Sequence, residues 1–165
     1  MYKQKFHNLL EILDELIKDY TDLKELFSQK REILKKAKPD EIGVIDDRII
    51  ALNNAIMKTN KAKQKLSEEI LVKDANMSDF IEFAKENAPE FVDALSDRKV
   101  KICNIIPEIT LLNEQNVELL KHGIIISNKM LETVIDAFAP QGSYYNGDGK
   151  TDTHDVDMWT ISEEI

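Results

Sequence analysis

DRKVKICNIIPEITLLNEQNVELLKHGIIISNKMLETVIDAFA, residues 97–139, decides how this chain folds. Apolar residues recur at Ile102, Ile105, Ile109, Leu112, Leu119, Ile126, Met130 and Ala137. Their alternating steps of three and four keep a seven-residue period, the seam of a long amphipathic helix with coiled-coil-like packing. Asn116 and Gly123 occupy seam positions in its middle. Asn116 there either fixes register at a cost in stability or joins Asn113 and Gln115 in a polar patch at a partner-binding groove. Gly123 leaves room for a close-approaching backbone or weakens the helix locally. Pro107 removes one backbone hydrogen bond and clashes with the preceding turn, a cost of ~3 kcal/mol in a helix interior. The helix therefore kinks there, or residues 97–106 form a separate segment; Ile105 and Ile106 face the core in both cases.

A helix apolar on one side needs companions, and the preceding chain supplies two. From Tyr2 to about Ala37, Phe6, Leu9, Leu13, Leu16, Tyr20, Leu23, Phe27 and Leu34 follow the same steps. Leu10, Ile17, Leu26 and Ile33 widen that stripe to what a bundle helix buries. Pro39 stops this helix, because the residue before a proline is pushed away from helical geometry, and Asp40 is a candidate N-cap for the next. Ile42, Ile45, Ile49, Leu52, Ile56, Leu66 and Ile70 form the second seam. Between Thr59 and Lys65 it thins to TNKAKQK, which predicts a solvated or frayed turn. The short connection makes the first two helices an antiparallel hairpin. After a break at residues 72–77, Ser78 is placed to cap DFIEFAKENA, and Pro89 to start PEFVDALSD. Two short helices crossing from one end of the hairpin to the other are the simplest connector. The expected fold is all-α: an elongated antiparallel bundle of three long helices with short connector helices, over residues 1–139.

Residues 140–165, PQGSYYNGDGKTDTHDVDMWTISEEI, read differently. Six acidic residues against Lys150 give −5 of the chain's −9 formal charge, and no helical period is present. Such a composition predicts an acidic, flexible tail. Tyr144, Tyr145, Met158 and Trp159 are apolar islands in it.

Composition narrows the function. The 165 residues are 42% hydrophobic, enough for one core. Net charge −9 disfavours phosphate backbones and anionic lipid. The single Cys103 excludes an intrachain disulfide and fits a reducing compartment. No apolar run approaches the ~20 residues of a membrane span, and the first residues lack a signal-peptide pattern. A soluble cytoplasmic protein is expected, with no nucleic acid or membrane partner. His7, His122 and His154 lie far apart, so no zinc spacing exists. Asn146, Asp148, Gly149, Asp152 and Asp155 mimic part of a calcium loop, but its first position is Tyr144 rather than a carboxylate. No nucleophile–base pair or phosphate loop is present. A binding protein without cofactor or metal is expected rather than an enzyme.

LNEQNVELLKHG on the last long helix, with Asn113 and Asn116, followed by SYYNGDGK with Tyr145, Asp148 and Gly149, resembles the FlgN family of flagellar type III export chaperones. The long leucine-rich first helix is similar too. Glu118 departs from the basic residues frequent after the family's asparagines, and the segment after Lys150 is outside the resemblance. The resemblance implies a cytoplasmic chaperone for hook-associated proteins, the hook–filament junction cargo, which it holds by their C-terminal helical segment and delivers to the export gate. It implies cargo binding on the last helix, at Leu112, Asn113, Asn116, Leu119, Leu120, Gly123, Ile126 and Met130. It also implies docking of Tyr145 on the cytoplasmic domain of the gate. The other reading these helices allow is a structural coiled-coil homo-oligomer. Under the chaperone reading, the last helix has more apolar length than its two companions cover.

Overall fold

A computed structural model describes residues 2–71 and 75–138, with side chains to residue 135. The chain is all-α, with no strand among the described residues. Its elements are α1 (Tyr2–Lys35), α2 (Pro39–Leu71), α3 (Met77–Asn87), a 3-10 turn (Pro89–Phe91) and α4 (Val92–Phe138). By contacts it divides into two units, Met1–Ile125 and Ile126–Ile165.

In the first unit α1 and α2 form the closely packed pair. The ion pairs Lys30–Asp46 at 2.6 Å and Lys5–Glu69 at 3.8 Å mark its two ends and show the helices running antiparallel. Phe6, Leu9, Leu13, Leu16, Leu23, Leu26 and Phe27 of α1 are buried with Ile45, Ile49, Ile56, Leu66 and Ile70 of α2. Each fully buried side chain of this size contributes about 1.5–3 kcal/mol, against about 0–1 kcal/mol for an exposed ion pair. The apolar seam therefore holds the hairpin, and the charged pairs trim it.

The turn between these helices is a backbone device. Ala37 N–H donates to the Leu34 carbonyl (3.2 Å) and Lys38 N–H to the Ile33 carbonyl (3.3 Å), with Ala37 at φ 50°. This is a Schellman ending built on alanine instead of glycine. Pro39 then takes the first helical position, where its missing N–H is no loss. Asp40 consequently lies inside the first turn of α2 rather than capping it. There it and Glu41 face the positive end of the helix dipole.

Three other sequence expectations change. The stretch from Thr59 to Lys65 is helical rather than frayed, and residues 60–65 are exposed or half-buried as a solvated turn should be, but Thr59 is buried; its hydroxyl donates to the Ala55 carbonyl at 3.2 Å, which removes the cost of burying it. The cap of α3 is Asn76 rather than Ser78. Its Oδ1 accepts from the backbone of Ser78 (2.8 Å) and Asp79 (3.1 Å), while Asp79 Oδ2 accepts from the Asn76 N–H (3.0 Å). That reciprocal box satisfies donors a helix start leaves open. The connector, finally, does not cross the hairpin. Pro89–Phe91 is a single 3-10 turn, α4 begins at Val92, and both sit beside the start of α1.

The ring contacts show this last point. Phe6 stacks on Phe91 at 5.5 Å and lies 6.4 Å from Phe83, while Tyr2 meets Phe83 edge-on at 5.2 Å. Phe80, Ala84, Ala88 and Leu95 close around them. Ser67, fully buried in α2, accepts the Ala75 N–H at 3.0 Å and so anchors the chain entering α3.

From that base α4 runs in the same direction as α1. Arg98 bonds Asp14 (2.8 Å), Glu108 pairs with Lys24, and Asn116 reaches Phe27. Pro107 is inside the helix, which continues unbroken through it, so residues 97–106 are not a separate segment. Pro107 and Cys103, whose carbonyl loses its bonding partner, are both exposed, and water is available to that carbonyl. Ile105 is half-buried but Ile106 is exposed, so only one of the pair faces the core.

In the second unit, Ile126–Phe138 is helical, and every side chain from 126 to 135 is exposed.

A candidate protein-binding surface on the last helix

The residues singled out along α4 separate by position. Leu112 is half-buried against the core, and Leu119 and Leu120 are half-buried as well. Asn113 is exposed. Asn116 is 1% exposed, and its Nδ2 donates to the Phe27 carbonyl at 2.9 Å. Gly123 is exposed, and a Cβ there would touch nothing within 4 Å. Ile126 and Met130 are 54% and 64% exposed. Tyr145 and the calcium-like sequence Asn146–Asp155 lie outside the described residues.

Asn116 thus faces the chain's own α1. Its bond to a helix carbonyl fixes one axial setting of α4 on α1, while its Oδ1 is buried with no partner among the described residues. An unsatisfied buried acceptor costs about 1–3 kcal/mol. This is the pattern of a polar residue that sets register at the expense of stability. Gln115 does not share that setting. It lines a groove of about 690 Å³ between α1 and α4, with Thr21, Ser28, Arg31, Leu111 and Leu112.

Within the first unit the contact also places the end of α1 along α4. Phe27 is level with Asn116, and α1 ends at Lys35, eight residues on. At equal rise per residue α1 runs out level with about residue 124. From residue 121 to 135 every side chain of α4 is exposed. Among them are Ile124, Ile125, Leu131, Val134 and Ile135, each at least half exposed. The single-seam reading overlooked these five. The run GIIIS carried the signal, since three consecutive isoleucines cannot all lie on one seam.

Charge along this stretch is light. Lys121 pairs with Glu118 at 3.0 Å and holds its carboxyl below the usual range, chiefly by that hydrogen bond. Among the described residues no group of three or more His, Cys, Asp or Glu is placed to hold a metal ion. Nor is any helix there long and apolar enough to cross a membrane. A contiguous exposed apolar patch of this kind marks an interaction surface.

The family model for FlgN protein matches residues 1–153. The chain belongs to the FlgN family. Membership points to a flagellar export chaperone, a class of binding proteins, and agrees with the absence of strands from the described residues. No curated protein and no solved structure matches this FlgN-family chain.

Proposed function

We propose that this FlgN-family protein holds hook-associated flagellar proteins in the cytoplasm by their C-terminal helical segment and delivers them to the type III export gate. The observation that carries the proposal is the bare apolar end of α4, where seven large apolar side chains between Ile124 and Ile135 are each at least half exposed. Isolated exposed leucines or isoleucines need no explanation, but a contiguous patch does. A cargo segment that folds as it binds gives up ordering entropy, which keeps the complex releasable. Release is what an export chaperone requires.

In this reading the contact residues are Leu119, Leu120, Gly123, Ile126 and Met130, extended by Ile124, Leu131, Val134 and Ile135. Leu112 and Asn113 border them. Asn116 acts indirectly, by fixing α4 on α1. Tyr145 docks on the cytoplasmic domain of the gate, a role that rests on the family resemblance.

Pull-down with purified hook-associated proteins tests the proposal. The native chain should retain one of them, and an Ile126→Ser/Met130→Ser/Val134→Ser variant should lose it while keeping its helix content. Retention by both, or by neither, counts against the surface named here. Sedimentation of the chain alone addresses the coiled-coil scaffold reading, which requires a stable homo-oligomer with no affinity for that cargo.

A further inference from the structure

The groove of about 690 Å³ between α1 and α4 carries charges that the chain itself does not pair. Of those lining it, Lys24 pairs with Glu108, but Asp22, Glu25 and Arg31 have no ion pair among the described residues. Asp22 and Glu25 are exposed, and Glu25 accepts the Gln29 amide at 3.0 Å. Arg31 is half-buried, and its Nε is buried with no hydrogen-bond partner among the described residues; the same holds for Oε1 of Gln115 on the facing helix. A guanidinium in that state has already lost part of its hydration, so a carboxylate gains more by meeting it than by meeting a lysine in open water. Lys58, Lys61 and Lys65 of α2 are unpaired as well, but they are exposed and water completes them. On the α4 side, Leu111, 55% exposed, and the half-buried Leu112 give the groove its apolar wall.

We propose that this groove takes an amphipathic helix of the cargo, with a carboxylate set against Arg31 and a basic side chain set against Asp22 and Glu25. This rests on the cargo-binding reading above and adds the charge pattern by which the cargo is selected. Along α1, Asp22 and Glu25 precede Arg31 by about 13.5 and about 9 Å at the rise of an α-helix. The two cargo charges therefore stand about two helical turns apart, with apolar residues facing Leu111 and Leu112. The groove includes Leu112, which borders the contact residues already named. A second copy is disfavoured as occupant. At a net charge of −9 two copies repel each other, and a groove set against its own symmetry mate leaves both unfilled.

The experiment titrates purified hook-associated protein into the full chain by calorimetry at low and at raised salt. The native chain is compared with Arg31→Met, Arg31→Lys and Asp22→Asn/Glu25→Gln, the helix content of each being checked. Arg31→Met should weaken binding tenfold or more, Arg31→Lys less because it keeps the charge, and Asp22→Asn/Glu25→Gln threefold or more. Raised salt should weaken the native complex more than either neutralised one, which a merely structural role for Arg31 would not produce. If Arg31→Met loses helix content, Asp22→Asn/Glu25→Gln, exposed at both positions, decides in its place. Native affinity in all three variants overturns this inference and leaves the proposed function standing. Weakening by Arg31→Met alone, with the same salt response as the native chain, overturns the charge pattern. No binding by the native chain overturns the inference together with the reading on which it rests. Self-association of the chain that Arg31→Met abolishes identifies a second copy as occupant and overturns the proposal.

Discussion

Ala37 holds a left-handed backbone conformation at φ 50°, which costs an L-residue with a Cβ roughly 1 kcal/mol. Glycine is free of that cost, and the two Schellman bonds around it are backbone bonds that the change leaves intact. Ala37→Gly should therefore stabilise the hairpin by up to about 1 kcal/mol, less the entropy glycine adds to the unfolded chain. Differential scanning calorimetry should show a melting temperature higher by roughly 2–4 °C. Asp19 makes a second case. Burial first, then the neighbouring carboxylates Glu15 and Asp22, raise its proton affinity in the folded state. A carboxyl raised on folding opposes folding once ionised. The penalty is absent below the ordinary aspartate range and builds as pH rises through the raised folded value. Asp19→Asn should accordingly be more stable than the native chain at pH 7, and the difference should vanish in denaturant titrations at pH 3. At this scale the sequence was only partly legible. Pro39 and the neighbourhood of the α3 cap were readable, but Asn76 rather than Ser78 caps because the chain before it is pinned by Ser67, a contact eight residues away.

The elements follow from periodicity where one face is buried, and that is why α1 and α2 were readable almost to the residue. Thr59 was not, because a seam position filled by a polar residue looks solvated until its hydroxyl is seen bonded to the preceding turn. Continuity through Pro107 was also hidden: the proline penalty is bearable where the freed carbonyl faces water. The two parts of the bundle predict different responses to substitution. Leu13, 1% exposed in the core, should cost about 2–5 kcal/mol as Leu13→Ala in urea unfolding. Leu131→Asp and Ile135→Asp, on the bare end of α4, should shift stability by no more than about 0.5 kcal/mol, yet weaken cargo binding in calorimetric titration. Asn116→Leu separates register from stability. Removal of the buried unpaired Oδ1 should leave the fold at least as stable, while cargo affinity falls if the axial setting of α4 matters.

For the whole molecule, the all-α class was legible from the scarcity of glycine and proline and from three long seams. The direction of α4 was not, because nothing in the connector's sequence says at which end of the hairpin it stays. Aromatic packing decides it: Phe6 draws Phe83 and Phe91 to the start of α1, so α4 leaves from that end and runs with α1. The side chains of α4 from residue 121 to 135 are all exposed, with seven large apolar ones among them. That surface is the centre of the account. Amide hydrogen exchange of the full chain, alone and saturated with a purified hook-associated protein, measures it most directly. An unsupported helix end opens locally at low cost, and a partner on it suppresses the opening. The account predicts slowed exchange in peptides covering residues 121–138, with α2 unchanged. Unaltered exchange in 121–138 with cargo demonstrably bound would contradict it.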